Sequence, residues 1–153
     1  FNQMTFIPDE IFQHQGITNL DVSTNNLTHL PEMDMKRLKY LNVVNNSLST
    51  LPPSMFEHLF MARLVVDGNK LQLLPSNIGN VGNTLNFFGA TRNNLTSFPA
   101  SFSQLSKLKV LDIRNNSLAS LPRWNKLTAL AHLTVAGTHC VETDGWAQEI
   151  FGN

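Results

Sequence analysis

Residues 108–122 have the sequence LKVLDIRNNSLASLP, and this stretch decides the fold because its spacing recurs along the chain. With Leu108 counted as position 1, apolar residues occupy positions 1, 4, 6, 11 and 14, asparagine occupies position 9 and proline position 15. The same spacing starts again at residues 17, 38, 61 and 85, and successive units are 21 to 24 residues apart. A sixth unit begins at residue 130 but departs from the spacing, with Thr138 at position 9 and Cys140 at position 11. Repetition with such a period predicts a solenoid, in which each unit buries its apolar face against its neighbours.

The same unit explains the composition. The chain has 153 residues, of which 22 are leucine and 18 are asparagine, and six of its seven prolines fall at position 15. An incomplete unit precedes residue 17, with Met4, Ile7 and Pro8 at positions 11, 14 and 15. Residues 1–140 are therefore expected to form about seven units, the first and last incomplete, and residues 141–153 a C-terminal capping or junction segment.

Each fixed position of the unit has a physical role. Positions 3 to 5 are predicted to form a short strand, with positions 4 and 6 pointing into the core and positions 3 and 5 pointing out. Asparagine at position 9 is expected to be buried and to pair with backbone groups, since an unpaired buried group costs about 1–3 kcal/mol. Proline at position 15 opens the opposite side of the unit, where short helical or 3₁₀ turns are expected, best formed in residues 52–62 and 99–107.

With its units in register, the chain resembles the leucine-rich-repeat superfamily over residues 1–140. The continuation LPxxIxxLxxL, as in residues 74–85 and 98–111, is similar to the class found in Ras-suppressor-type and plant Ras-group scaffolds, and related repeats occur in receptor ectodomains. The resemblance implies an α/β fold, a curved right-handed horseshoe-shaped solenoid with a parallel β-sheet on its concave face and short helical or 3₁₀ turns on its convex face. It also implies a protein-interaction module without catalytic activity of its own.

The two ends of the array carry separate expectations. Met4, Phe6 and Ile7 are expected near an open edge, so the chain is interpreted as a fragment of a longer array or of a larger scaffold or receptor. In the tail, Asp144 is suited to be the N-cap of a short amphipathic helix. The apolar residues of that helix are Trp146, Ile150 and Phe151. It is expected to close the core or to lead into whatever follows.

The outward strand positions predict a binding surface. At position 3, Tyr40, Arg63 and Phe87 belong to three successive units, and because neighbouring strands lie roughly 4.8 Å apart they are expected to form one row on the concave face. Tyrosine and arginine are enriched among binding hot spots. The charged residues expected around this row are Asp67, Arg92, Asp112 and Arg114. We hypothesise that a protein or peptide ligand binds this surface; the alternative is an ordinary surface on which Phe87 packs against Tyr40.

Charge and reactive residues argue against several classes of function. The formal net charge is zero and charged residues make up 14 % of the chain, so no basic excess favours nucleic acid or direct contact with an anionic membrane. Five histidines and one cysteine are present, but their spacing matches no common metal or catalytic motif. We therefore expect no catalytic residues, no metal, no cofactor and no enzyme activity. Cys140 is expected to be a buried thiol or to pair with a cysteine outside this chain.

The compartment stays open between a cytoplasmic scaffold and the extracellular part of a membrane receptor. Four N-x-S/T sequons support an extracellular location. The support is weak because the repeat itself favours the sequences NNLT and NNS. They begin at Asn26, Asn45, Asn94 and Asn115. The ligand and the oligomeric state are open as well. The alternatives to a self-contained interaction module are the substrate-recognition segment of a larger enzyme, such as a ubiquitin ligase or kinase, and a purely structural spacer.

Overall fold

The computed structural model describes residues 3–58, 60–122, 124 and 126–138, together with the backbone of residues 142–143. Six three-residue strands form one parallel sheet: β1 (Asn19–Asp21), β2 (Tyr40–Asn42), β3 (Arg63–Val65), β4 (Phe87–Gly89), β5 (Val110–Asp112) and β7 (His132–Thr134). A second, two-stranded parallel sheet pairs β6 (Ser120–Leu121) with β8 (Glu142–Thr143).

The six strands of the main sheet occupy positions 3 to 5 of their units, as the sequence predicts. They lie in sequence order, and each pairs with the next so that equal positions face one another, as Leu41 faces Leu64 and Leu64 faces Phe88. A parallel pair needs a crossover connection, which here is the remainder of each unit. The result is the predicted solenoid with its parallel sheet on the concave face.

Short helical turns lie on the convex side. Helix α1 spans Asp9–Phe12, and 3₁₀ turns span Pro53–Phe56, Ile78–Val81 and Ala100–Gln104. A position-15 proline directly precedes helix α1 and two of the 3₁₀ turns; these prolines are Pro8, Pro52 and Pro99. The restricted backbone of proline ends the preceding segment. Both stretches singled out from the sequence contain such a turn, so that prediction is confirmed. The sequence did not single out α1, whose first turn is acidic.

The core is a stack of apolar layers, one from each repeat position. Side chains at positions 4 and 6 of the central units are fully enclosed, including Phe88 and Ala90, which replace the usual aliphatic pair in the fourth unit. The large side chain of Phe88 is compensated by the small side chain of Ala90, so the two together fill the same core volume as the usual aliphatic pair. Phe102 lies against this layer, with its ring centroid 6.0 Å from that of Phe88 and 5.4 Å from that of Trp124. These aromatic contacts connect the fourth unit to the fifth.

The position-9 asparagines form a buried ladder, as predicted. Asn46, Asn69, Asn93 and Asn116 are 3 to 8 % exposed. Each side-chain carbonyl accepts a hydrogen bond from a backbone N–H of the preceding unit at 3.0 Å; these donors are Leu27, Leu48, Leu71 and Leu95. Each side-chain amide donates to backbone carbonyls of its own unit and of the preceding one. The ladder therefore satisfies the polar backbone at the bend and links adjacent units.

Position 8 has a left-handed backbone in all six units. The φ angles are between 52° and 74° at Thr24, Asn45, Gly68, Arg92, Asn115 and Gly137. The side chain of Asn45 covers Gly68, and that of Asn115 covers Gly137, so closely that a Cβ atom on either glycine would overlap the asparagine oxygen. An asparagine at position 8 is thus followed by a glycine at position 8 of the next unit.

The ends of the array agree with the repeat pattern as far as the structure describes them. Met4 and Phe6 are 43 % and 67 % exposed, near the edge where they were expected. The incomplete first unit is nevertheless stacked on the next, since the Met4 N–H donates to Asn25 Oδ1 at 3.1 Å. At the other end Ser120 pairs with Glu142, one unit spacing later. The predicted tail helix and Cys140 lie outside the described residues, and the domain boundary at residue 140 stays a prediction.

Candidate functional site

The predicted concave row is continuous. Tyr40 pairs with Arg63 and Arg63 with Phe87 across β2, β3 and β4, so the three position-3 side chains leave the same face of the sheet on adjacent strands. Arg63 is exposed, whereas Tyr40 and Phe87 are half-buried. The row continues on β5 with the half-buried Val110. Aromatic, cationic and aliphatic groups therefore lie side by side at the middle of the sheet.

Arg63 and Phe87 form a stacked pair. The guanidinium carbon of Arg63 is 3.5 Å from the centroid of the Phe87 ring, within the distance at which a cation is attracted to an aromatic face. Arg63 lies between Tyr40 and Phe87 in the row. Its guanidinium lies over the Phe87 ring and covers it. This stack places a planar cation against an aromatic ring on the surface.

Gly89 makes room for two functional side chains. A Cβ atom at this position would be 3.2 Å from both Asp67 Oδ1 and a ring carbon of Phe87, tighter than ordinary contact. The absent side chain lets the Asp67 carboxylate and the Phe87 ring close over the strand, and Gly89 is buried although it points outward. Its neighbour at position 5, Val65, is also only 8 % exposed. Position 5 thus points outward, as predicted, but is covered by its neighbours at the centre of the sheet.

Asp67 is a partly buried acid of this surface. Its Oδ1 accepts a hydrogen bond from the Thr91 backbone N–H at 2.6 Å. Burial nevertheless raises its pKa above the ordinary value of 3.8, the nearby Asp112 raises the pKa further, and Arg92 and the Thr91 N–H partly oppose the change. The sequence placed Asp67 next to the row but carried no sign of this burial, which depends on Gly89 one strand away.

The other predicted charges lie towards the C-terminal edge of the strands. Arg114 binds Asp112 through two hydrogen bonds, Nε to Oδ1 at 2.9 Å and Nη2 to Oδ2 at 2.7 Å, and this contact raises the Arg114 pKa. Arg92 is exposed at the left-handed position 8. Within the described residues neither Arg63 nor Arg92 forms an ion pair. Their guanidinium groups are thus available to a partner, whereas that of Arg114 is already engaged.

Reactive and modifiable residues form no second centre in the part of the chain that the structure describes. There, no three His, Cys, Asp or Glu side chains converge as a metal site would require. His58 Nε2 lies 3.1 Å from Asp34 Oδ1. No described helix is long and apolar enough to cross a membrane. The four sequon asparagines are all exposed: Asn26, Asn45, Asn94 and Asn115.

Comparisons with known proteins agree with this geometry. The sequence profile of the family described as Leucine Rich Repeat matches residues 37–59 and 107–128, which contain the second and fifth units. A solved leucine-rich-repeat protein from Leptospira interrogans superposes with a TM-score of 0.90 at 25 % identity, covering 97 % of this chain and 38 % of that one. This chain is a leucine-rich-repeat protein. Its repeats also superpose, with a TM-score of 0.78 and 29 % identity, on the plant peptide hormone receptor RGFR1 in complex with RGF2, over 87 % of this chain and 23 % of the receptor.

Curated relatives of this leucine-rich-repeat protein are much longer than the segment that it matches. It is 31 % identical over 132 residues to a leucine-rich repeat and calponin homology domain-containing protein of Drosophila melanogaster, covering 85 % of this chain and 16 % of the relative. It is 30 % identical over 124 residues to an adenylate cyclase of Schizosaccharomyces pombe, covering 76 % of this chain and 7 % of the enzyme. The chain thus spans a small part of the relatives it matches.

Proposed function

We propose that this leucine-rich-repeat protein binds a protein or peptide ligand across its concave face, through Tyr40, Arg63 and Phe87. The charged residues Asp67, Arg92, Asp112 and Arg114 would orient the ligand around that row. The observation that carries the proposal is the Arg63–Phe87 stack, 3.5 Å from guanidinium carbon to ring centroid, at the middle of an exposed sheet. Stacking of the guanidinium on the ring before binding would reduce the conformational entropy that binding must remove.

The chemistry of the surface suits a polypeptide rather than a small molecule. The proposed residues extend over β2 to β5, roughly 14 Å from first to last strand, and offer two unpaired guanidinium groups, two aromatic rings and a partly buried carboxylate. Two positive and two negative residues surround the row, which favours orientation of a partner over attraction by net charge. The similarity to a plant peptide hormone receptor whose structure was solved in complex with RGF2 supports a peptide or protein as the ligand.

A second candidate is that the array serves as the recognition segment of a larger enzyme. The similarity to a segment of an adenylate cyclase favours this candidate. In that case the chain itself has no catalytic role, because the groups on its concave face hold and orient rather than transform a ligand. The same residues would then recognise a substrate or a regulator of the enzyme. The two candidates differ in what is attached to the array, and not in the face that binds.

The test is affinity capture with the wild-type chain beside the triple variant Tyr40→Ala/Arg63→Ala/Phe87→Ala, followed by binding measurements with each captured partner after purification. Circular dichroism first establishes that both proteins fold. A matched control carries three alanines at exposed positions away from the concave sheet, namely Glu57→Ala/Lys70→Ala/Gln72→Ala.

The proposal predicts a partner that binds directly to the wild type and to the control and is lost by the concave triple variant. Equal binding to all three proteins would overturn the concave site and move recognition to the convex side or to the ends. Failure of the wild type to bind any partner would instead favour a structural spacer. Sequencing the complete protein would separate receptor from enzyme, through a membrane span or a catalytic motif.

A further inference from the structure

A cavity of about 470 Å³ lies at the edge of the sheet where β1 and β2 begin. It is lined by Thr18, Lys36, Arg37, Lys39 and Phe60. The Thr18 carbonyl accepts hydrogen bonds from the backbone N–H groups of Lys39 and Tyr40, which fixes the floor of the cavity to the start of the concave row. We call this feature the rim cavity.

The rim cavity carries a local excess of positive charge. Three of the chain's 11 lysine and arginine residues fall within residues 36–39, although the chain as a whole is neutral. Lys36 pairs with Asp34, and this acid is shared: its Oδ2 is 3.7 Å from Lys36 Nζ and its Oδ1 is 3.1 Å from His58 Nε2. Within the described residues Arg37 and Lys39 form no ion pair. The lining therefore has about two positive charges without a protein partner.

An apolar wall adjoins these charges. Phe60 is 56 % exposed, one of the few large apolar side chains that the fold leaves in water. An exposed aromatic ring beside cations can contact the apolar part of a ligand while the cations meet its charged part. Long lysine and arginine side chains can also lie along such a ring. The combination selects for a ligand with an apolar group next to an anionic one.

We propose that the rim cavity binds an acidic segment of a polypeptide, with two adjacent carboxylates facing Arg37 and Lys39 and an aromatic side chain against Phe60. The charge of two carboxylates matches the two unpaired cations. The cavity volume of about 470 Å³ is within the range of ligand pockets, ~300–1,000 Å³. The site is separate from the concave row in its residues and in its chemistry, so it stands independently of the function proposed above.

The experiment is a titration of the ¹⁵N-labelled chain followed by NMR. The probes are the heptapeptides GSEEFSG, GSQQFSG and GSEEASG, together with inorganic phosphate and vesicles containing phosphatidylserine. We expect GSEEFSG to shift the amide signals of Thr18, Lys39 and Phe60 in a saturable way, with a Kd on the order of 1 mM. The glutamine peptide should not bind, and added salt should weaken the acidic peptide, since exposed charges are screened.

Three variants distinguish the sources of binding. Arg37→Ala/Lys39→Ala should weaken GSEEFSG by about tenfold or more. The control Lys107→Ala/Lys109→Ala removes two exposed cations from the corresponding positions of the fifth unit, and should bind like the wild type. Phe60→Ala should weaken GSEEFSG but leave GSEEASG unchanged.

Each remaining outcome contradicts the proposal. Equal binding of GSEEFSG to the wild type and to Arg37→Ala/Lys39→Ala would show that the cavity cations do not hold the peptide. Binding of phosphate alone would indicate a free-anion site, and binding of vesicles alone a lipid surface. Absence of saturable shifts with every probe would leave the cavity without this function. None of these results bears on Arg63 or Phe87, so the concave proposal is tested separately.

Discussion

The side-chain carbonyl of Asn93 accepts a hydrogen bond from the backbone N–H of Leu71, 22 residues earlier, at 3.0 Å. The amide of the same side chain donates to Val66 O at 3.0 Å and to Ala90 O at 3.3 Å. One asparagine thus satisfies backbone groups of two units at their shared bend. Because the relationship recurs in four units, the array is held together by polar contacts inside an otherwise apolar stack.

Replacing Asn93 by alanine is expected to destabilise the chain by about 1–3 kcal/mol, because the Leu71 N–H and the Val66 carbonyl lose a partner while buried. Urea unfolding followed by circular dichroism measures this as a lower midpoint. The control is Asn94→Ala, which removes an exposed asparagine next to it and should change the free energy of unfolding by less than about 0.5 kcal/mol. Equal effects of the two substitutions would contradict the structural role of the ladder.

The pairing of position-8 residues predicts a clash that a second substitution relieves. Gly68→Ala places a Cβ atom against Asn45 Oδ1 and also puts alanine at φ 64°, and the backbone conformation alone costs about 1–2 kcal/mol. In an Asn45→Gly background the clash is absent and only the backbone cost remains. Thermal unfolding of the four proteins of this double-mutant cycle should show a smaller loss for Gly68→Ala in the Asn45→Gly background. Additive losses would contradict the contact.

The raised pKa of Asp67 predicts a dependence of stability on pH. A folded-state pKa above the ordinary 3.8 means that the folded chain binds the proton more tightly than the unfolded chain. The free energy of unfolding therefore falls as the pH rises from 3.8 through the raised pKa. Asp67→Asn cannot ionise, so it should be more stable than the wild type at pH 7 and should lose that advantage below pH 3.8.

Urea unfolding of both proteins at several pH values measures the Asp67 difference. Glu57→Gln serves as the control, since it removes a charge from an exposed position and should show no such dependence. An Asp67→Asn variant that is less stable than the wild type at pH 7, with the gap closing in acid, would mean that the carboxylate stabilises the fold instead.

The sequence predicts most of this fold because the repeat assigns a role to each position. Strand register follows directly, since equal positions of adjacent units must stack. The repeat alone therefore predicts that Tyr40, Arg63 and Phe87 lie in one row. The left-handed position 8 also left a signal, the asparagines and glycines found there in four of six units. Thr24 and Arg92 obscure this pattern at position 8, because threonine and arginine rarely adopt a left-handed backbone.

What the sequence could not predict depends on side chains of different units meeting on one face. The burial of Gly89 results from Asp67 on one side and the Phe87 ring on the other. A column of outward positions treats its members as equally exposed, although a short side chain between longer ones is covered. The Arg63–Phe87 stack likewise depends on the rotamers of the two side chains, which the strand register does not determine. Helix α1 directly follows Pro8, the position-15 proline of the incomplete first unit, so the repeat pattern carried a signal for this helix as well.

The most direct test of the concave site is the dissociation constant of a purified partner, measured by titration calorimetry for the wild type, Arg63→Ala and Glu57→Ala. The stack at the centre of the row predicts that Arg63→Ala weakens binding by at least about tenfold, or ~1.4 kcal/mol. Glu57→Ala, which leaves the concave face untouched, should bind like the wild type. A dissociation constant that Arg63→Ala leaves unchanged would contradict the proposed role of the concave row.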